Sequence, residues 1–198
     1  MRRGKRLEHF TIGYNALEGL ASIVAGVFAG SIALVGFGVD SIIEVTSAIA
    51  LLVRLHADAD HARRERSERI TLRIVGICFL SLAAYIAFDS INALIHRALP
   101  EHSIPGIVIT ALSVVIMPLL SRAKRNVGRA IGSNALIADA KQTALCTYLS
   151  AITLIGLLLN ALLGWWWADP AAALIMVPII VREGVEGLRA EHCDDCAP

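Results

Sequence analysis

Charge is scarce in this chain of 198 residues: Asp, Glu, Lys and Arg make up 18% of it, against 56% hydrophobic residues, and the mean hydropathy is positive. Soluble domains carry about a quarter charged residues, so an ordinary soluble globule is excluded and a membrane protein is expected. No Gly-rich phosphate loop, nucleotide motif, hydrolase triad or nucleic-acid module occurs, and His-Glu-x-x-His is absent. Without a nucleophile beside a paired base, an enzyme finds little support, and no nucleic-acid partner is expected. A cleavable signal peptide is also missing: the basic start, Met1 to Arg6, leads into an apolar run that holds Glu18 and continues as a full span. A disulfide framework is not expected, since Cys78 and Cys146 stand singly in apolar runs while Cys193 and Cys196 share the C-terminal tail.

What is present is a series of six apolar segments, near residues 9–29, 31–54, 70–97, 104–121, 133–163 and 170–188. At about 1.5 Å per residue each can cross a hydrocarbon core of about 30 Å, some with tilt. The spacing predicts an all-α membrane protein of six transmembrane helices: one membrane domain over 1–190 and a short tail over 191–198. Ala29, Gly30 and Ser31 are all that joins the first two spans, which must form a tight antiparallel hairpin. Ser103 before Pro105 and Asp169 before Pro170 read as N-caps followed by early helical prolines. Pro118 and Pro178 mark expected kinks.

Basic residues set the expected orientation. Arg2, Arg3, Lys5 and Arg6 precede span one; Arg54, Arg63, Arg64, Arg66, Arg69 and Arg73 surround the second gap; Arg122, Lys124, Arg125 and Arg129 fill the fourth. In the three opposite connections the only Lys or Arg is Arg97. The positive-inside rule places both termini in the cytoplasm. Trp165, Trp166 and Trp167 then fall on the outer side as an interfacial aromatic belt. The run Arg63-Arg64-Glu65-Arg66-Ser67-Glu68-Arg69 is mixed in sign and reads as a solvated juxtamembrane face.

The residues that carry chemistry stand inside the apolar runs. Asp40 and Glu44 are four apart in the second span, on one helix face and about 14 Å into the helix. A charge at that depth costs at least about 2.5 kcal/mol and marks a cation or proton pathway. Two adjacent carboxylates repel unless a cation or proton lies between them. Gly36 and Gly38, one turn earlier, allow a neighbouring helix to approach. Gln142 and Cys146 form a second such pair in the fifth span, with Asp139 on the same side. Two facing pairs supply four donors of mixed oxygen and sulfur character, suited to a divalent transition metal such as zinc.

Gly30-Ser31-Ile32-Ala33-Leu34, Val39-Asp40-Ser41-Ile42-Ile43-Glu44 and Ser133-Asn134-Ala135-Leu136-Ile137-Ala138-Asp139-Ala140, with the helical pair after it, resemble the membrane domain of the cation diffusion facilitator family over residues 10–188. In that family the second helix offers Asp or His and then Asp, and the fifth offers His and then Asp. Asp40 and Glu44 match the first pair, whereas Gln142 replaces His and Cys146 replaces Asp, leaving less negative charge and a softer donor set. The resemblance implies a homodimer that exports zinc or a similar divalent ion by alternating access, coupled to inward proton movement. It also implies a short form without the cytoplasmic metal-binding domain of many members, dimerising through membrane helices. A bacterial inner membrane is expected from the compact chain. No resident cofactor is expected, the metal being cargo.

Several other residues have two readings. Glu18, with Asn15 one turn before it, and Asp139 are candidates for a proton relay or gate. Asp89 and Asn92 read as packing contacts in the third span. Cys193 and Cys196, with His192 and Asp194, form a candidate secondary metal site, as do His56, Asp58, Asp60 and His61, against solvated tail and loop readings. The alternative to transport is a metal-binding membrane sensor or scaffold that kept the fold and lost turnover.

Overall fold

A computed structural model describes residues 2–56, 61–97, 100–132 and 134–189. They form six helices: α1 (Arg2–Ala29), α2 (Ile32–His56), α3 (His61–His96), α4 (Ile104–Ile131), α5 (Asn134–Leu163) and α6 (Ala168–Leu188). Five contain stretches long and apolar enough to cross a membrane. The exception is α6, whose Asp169, Arg182 and Glu183 interrupt its hydropathy. The surface agrees with a lipid surround: Leu17, Phe28, Phe88 and Leu162 are each at least 73% exposed, while Glu8, Asn15 and Lys124 are fully buried. The chain is a multi-pass membrane protein.

Two expected boundaries move. The charged run after His61 belongs to α3, and α4 continues ten residues past the expected end at 121 to Ile131. Helical hydrogen bonding needs no apolar sequence, so hydropathy marks the span and not the helix. Ser103 caps α4 as expected: its Oγ accepts from the Gly106 N–H at 3.1 Å. Gly132, at φ 64°, ends the same helix in the left-handed conformation. Pro118 and Pro178 both lie inside their helices.

The first hairpin turns at Gly30, where φ is 64° and the Ser31 N–H donates to the Gly26 carbonyl at 2.9 Å. Helices α1 and α2 then pack so closely that a Cβ on Gly38 would sit 2.9 Å from the Gly19 carbonyl oxygen. The backbones meet where side chains would keep them apart. Helices α4 and α5 form a second pair and α3 and α6 a third. Helices α2 and α5 touch at the centre, with α1 and α4 meeting on one flank and α3 and α6 on the other. An apolar core of Leu34, Phe37, Phe79, Ile86, Met176 and Ile180 joins α2, α3 and α6.

Candidate cation site

Helix periodicity puts Asp40 and Glu44 on one face of α2, and the α2–α5 contact brings that face to Cys146. The Cys146 Sγ lies 3.1 Å from Asp40 Oδ2 and 2.7 Å from Glu44 Oε2, and all three side chains are at most 4% exposed. Thr143, one turn before Cys146, donates to Glu44 Oε1 at 2.7 Å. Both carboxylates therefore reach α5 through hydrogen bonds to its hydroxyl and thiol, which relieves part of their mutual repulsion.

Among the described residues no three His, Cys, Asp or Glu side chains stand in a ready-made coordination geometry. The contacts at Cys146 are too close for coordinated donors. Donors around a tetrahedral zinc lie about 3.2 to 3.8 Å from one another, given metal–ligand bonds of about 2.0 to 2.3 Å. At 2.7 Å, Sγ and Glu44 Oε2 are closer than that. A tetrahedral zinc held by these atoms would require the cluster to expand.

Gln142, half-buried, accepts from Ser47 Oγ through Oε1 at 3.0 Å. It does not join the Asp40–Glu44–Cys146 cluster by a hydrogen bond, but it shares a cavity with Asp40 and Cys146, walled by Phe79 and Ile180 and bordered by Glu183 of α6. Glu183 has no signal in the linear sequence, because its approach to Asp40 depends on how α6 docks. Thr143 could have been found: it is one helical turn before Cys146, on the same face of α5.

Among the described residues Asp139 makes no side-chain hydrogen bond to Asp40, Glu44 or Cys146, but its carbonyl accepts at 3.2 Å from the Thr143 hydroxyl that also bonds Glu44. It pairs with Lys124 of α4, whose Nζ lies 2.5 Å from Asp139 Oδ2, 3.2 Å from Thr143 Oγ1 and 3.6 Å from Glu8 Oε2. Lys124 is fully buried and lies within α4, whereas the expected span boundaries put it in the fourth gap. The extension of α4 past residue 121 carries it inward, where three acceptors surround it. Glu18 accepts from Ser41 Oγ at 3.0 Å, next to Asp40 in the chain.

At the opposite end, Asp169 departs from its expected role. The residue at the N-cap of α6 is Trp167, with no side-chain capping bond. Asp169 serves α2 instead: Oδ1 accepts from Ser31 Oγ at 2.5 Å and Oδ2 from the Ile32 N–H at 2.8 Å. Its carboxylate meets the positive end of the helix that carries the site. Trp165 and Trp167 stack nearby in sequence, with ring centroids 5.1 Å apart. Asp89 accepts from the Tyr85 hydroxyl at 3.4 Å, whereas Asn92 is exposed. Cys193, Cys196, His192, Asp194, Asp58 and Asp60 lie outside the described residues, and His56 and His61 end α2 and begin α3.

Comparison with known proteins places this arrangement. Residues 10–191 match the family model described as the cation efflux transmembrane domain. Among curated proteins, the chain is 26% identical over 174 residues to Uncharacterized transporter MJ0449 of Methanocaldococcus jannaschii, covering 85% of this chain and 61% of that protein. It is 24% identical over 183 residues to Transmembrane protein 163 of Xenopus laevis, covering 89% and 63%. With the Cation-efflux pump FieF of Shewanella oneidensis it shares 21% over 170 residues, covering 83% and 57%. The chain thus spans about three fifths of the length of these relatives.

Proposed function

We propose, from the premise that this chain belongs to the cation efflux, or cation diffusion facilitator, family, that it exports a divalent transition-metal cation, zinc foremost, in exchange for protons. The observation that carries this reading is the convergence of Asp40 and Glu44 of α2 on Cys146 of α5 inside the membrane domain. Two carboxylates match the charge of a divalent ion. A thiol and the nearby Gln142 amide complete a donor set softer than one of carboxylates and imidazole.

The cation enters along the cavity bordered by Glu183, past Gln142, and meets Asp40 and Cys146. It takes the place of the hydrogen bonds that join Cys146 to the two carboxylates, and the protons it displaces leave the site. Helix rocking then exposes the cluster at the Asp169 end, where protons return to the carboxylates and the cation departs. On this reading both termini are cytoplasmic, the protein works as a homodimer through membrane helices, and its home is a bacterial inner membrane. The cytoplasmic mouth then lies at the end that carries Lys124 and Glu8.

The test is zinc flux into proteoliposomes under an imposed pH gradient, native beside Asp40→Ala, with cadmium, iron and manganese as competitors. Loss of flux in the variant supports the site, and undiminished flux refutes it. Zinc binding by the native protein without flux of any metal moves the assignment to a membrane sensor or scaffold.

A further inference from the structure

Helix α1 carries a second polar system that the cation site does not use. Glu8, Thr11, Asn15, Glu18 and Ser22 recur every three or four residues and are all at most 5% exposed. The other side of the helix presents Phe10, Leu17, Leu20, Val24 and Phe28 outward. From Glu8 to Ser22 the polar row covers about 21 Å, most of a hydrocarbon core. It looks toward α4, whose own buried residues include Thr110, Ser113, Ser121 and Lys124.

Much of this seam is unsatisfied by the protein. Glu8 Oε1, both amide atoms of Asn15, Glu18 Oε1, Ser22 Oγ and Ser113 Oγ are buried without a hydrogen-bond partner among the described residues, and Glu8 Oε2 has only the ion pair with Lys124 at 3.6 Å. A buried polar atom left unpaired is costly to the fold. Six such atoms on one interface call for a polar guest, and water is the guest that such sites hold. The cavity proposed for the cation lies on the other flank, lined from α2, α3, α5 and α6 with no residue from α1 or α4.

We infer that the α1–α4 seam is a water-filled proton path, separate from the cation's entry route, with Glu18 as the residue that passes protons to and from the Asp40 neighbourhood. The inference rests on the exchange reading above and adds the route of the counter-ion. Glu18 is the branch point because, among the described residues, it is the member of the row with a side-chain hydrogen bond to α2, accepting from Ser41 Oγ at 3.0 Å. The groups facing it are Tyr14 on α1, Ser41 on α2 and Ser113 on α4, with Glu44 at longer range. At the far end Glu8 faces Lys124 of α4 and Asp139 of α5, again with Glu44 at longer range. A proton arriving from the Ser22 end binds Glu18, and another leaves along Asn15 and Thr11 toward Glu8. No covalent bond other than those to hydrogen changes. Separate routes keep a bound cation from blocking proton transfer, which a single shared channel does not.

The experiment uses the full chain in proteoliposomes, with Glu18→Gln and Asn15→Leu beside the native protein. Glu18→Gln removes the proton carrier, whereas Asn15→Leu leaves every carboxylate in place and dries the seam. Two quantities are read: zinc affinity by calorimetry at fixed pH, and uphill zinc accumulation driven by the pH gradient. Both variants are expected to lose driven accumulation by about tenfold or more while zinc affinity stays within about threefold of native, since transfer through one positioned group contributes factors of about a hundred or more. A residue that only packs the helices moves both quantities together. Native-like driven accumulation in both variants overturns the inference, as does a joint loss of affinity and accumulation in both. A native protein that binds zinc and shows no pH-driven flux removes the exchange reading itself, an outcome the variants do not mimic.

Discussion

The buried residues of α3 and α6 are mostly apolar, among them Val75, Phe79, Leu82, Ile86, Ala173, Met176 and Ile180, with Ser90 and Asp169 as polar exceptions; those of α1 and α4 include Glu8, Asn15, Glu18, Ser22, Thr110, Ser113 and Lys124 beside the apolar Met117 and Leu120. Both pairings flank the same α2–α5 centre. In lipid, apolar side chains gain little by leaving one hydrocarbon phase for another, so the α3–α6 contact depends on close fit. That fit is tight at Gly76, where a Cβ would come within 2.7 Å of the Gly184 carbonyl oxygen. The α1–α4 contact carries polar groups and charge instead, with the Glu8–Lys124 ion pair at one end. One flank therefore tolerates changes of polarity poorly and the other changes of volume poorly.

Four substitutions sharpen or break that contrast. The largest effect is expected from Lys124→Met, which preserves volume but leaves Glu8 and Asp139 without their cation: a loss of about 3 to 5 kcal/mol in detergent unfolding. Adding Asp139→Asn to it is expected to recover part of that loss. An unchanged unfolding midpoint for Lys124→Met would dissolve the distinction between the flanks. Next, Gly76→Val adds volume at the backbone contact of α3 with α6 and is expected to destabilise by about 1 to 3 kcal/mol. The same Val at Gly13, where a Cβ meets nothing within 4 Å, serves as the control for helix propensity.

A smaller effect is expected at the centre. Thr143→Val removes the hydroxyl that joins Glu44 to Lys124 and is expected to weaken zinc binding by about tenfold, or about 1.4 kcal/mol. Calorimetry beside the native protein checks this, and an unaltered affinity would show that the two flanks do not communicate through Thr143. The smallest change follows Asp169→Asn, which keeps an acceptor for Ser31 but removes the charge at the N-terminus of α2. About 0.5 to 1 kcal/mol of stability should be lost, read as a shift in the midpoint of thermal unfolding, and a fall several times larger would place a heavier role on that end of the bundle.

Membrane class, the number of helices and the central carboxylate pair were legible in the sequence because each is a local property. Six apolar runs and the covalent spacing of Asp40 and Glu44 suffice for them, and the Gly30 turn leaves α2 no option but to fold back on α1. Local patterns also found the row Asn15 and Glu18, though not that it extends from Glu8 to Ser22.

What only the tertiary structure decided concerns partners far apart in the chain. Cys146 meets Glu44 across 102 residues and Asp169 meets Ser31 across 138, distances over which no periodicity operates. Lys124 sits in a basic stretch whose composition is that of a solvated loop, and only the continuation of α4 turns it inward to Asp139. Glu183 likewise stands among charges at the end of α6 until docking against α2 and α5 brings it to the cation cavity. A sequence specifies which side chains carry charge and on which helical face; whether that face meets lipid, water or an opposite charge is set by how the helices pack.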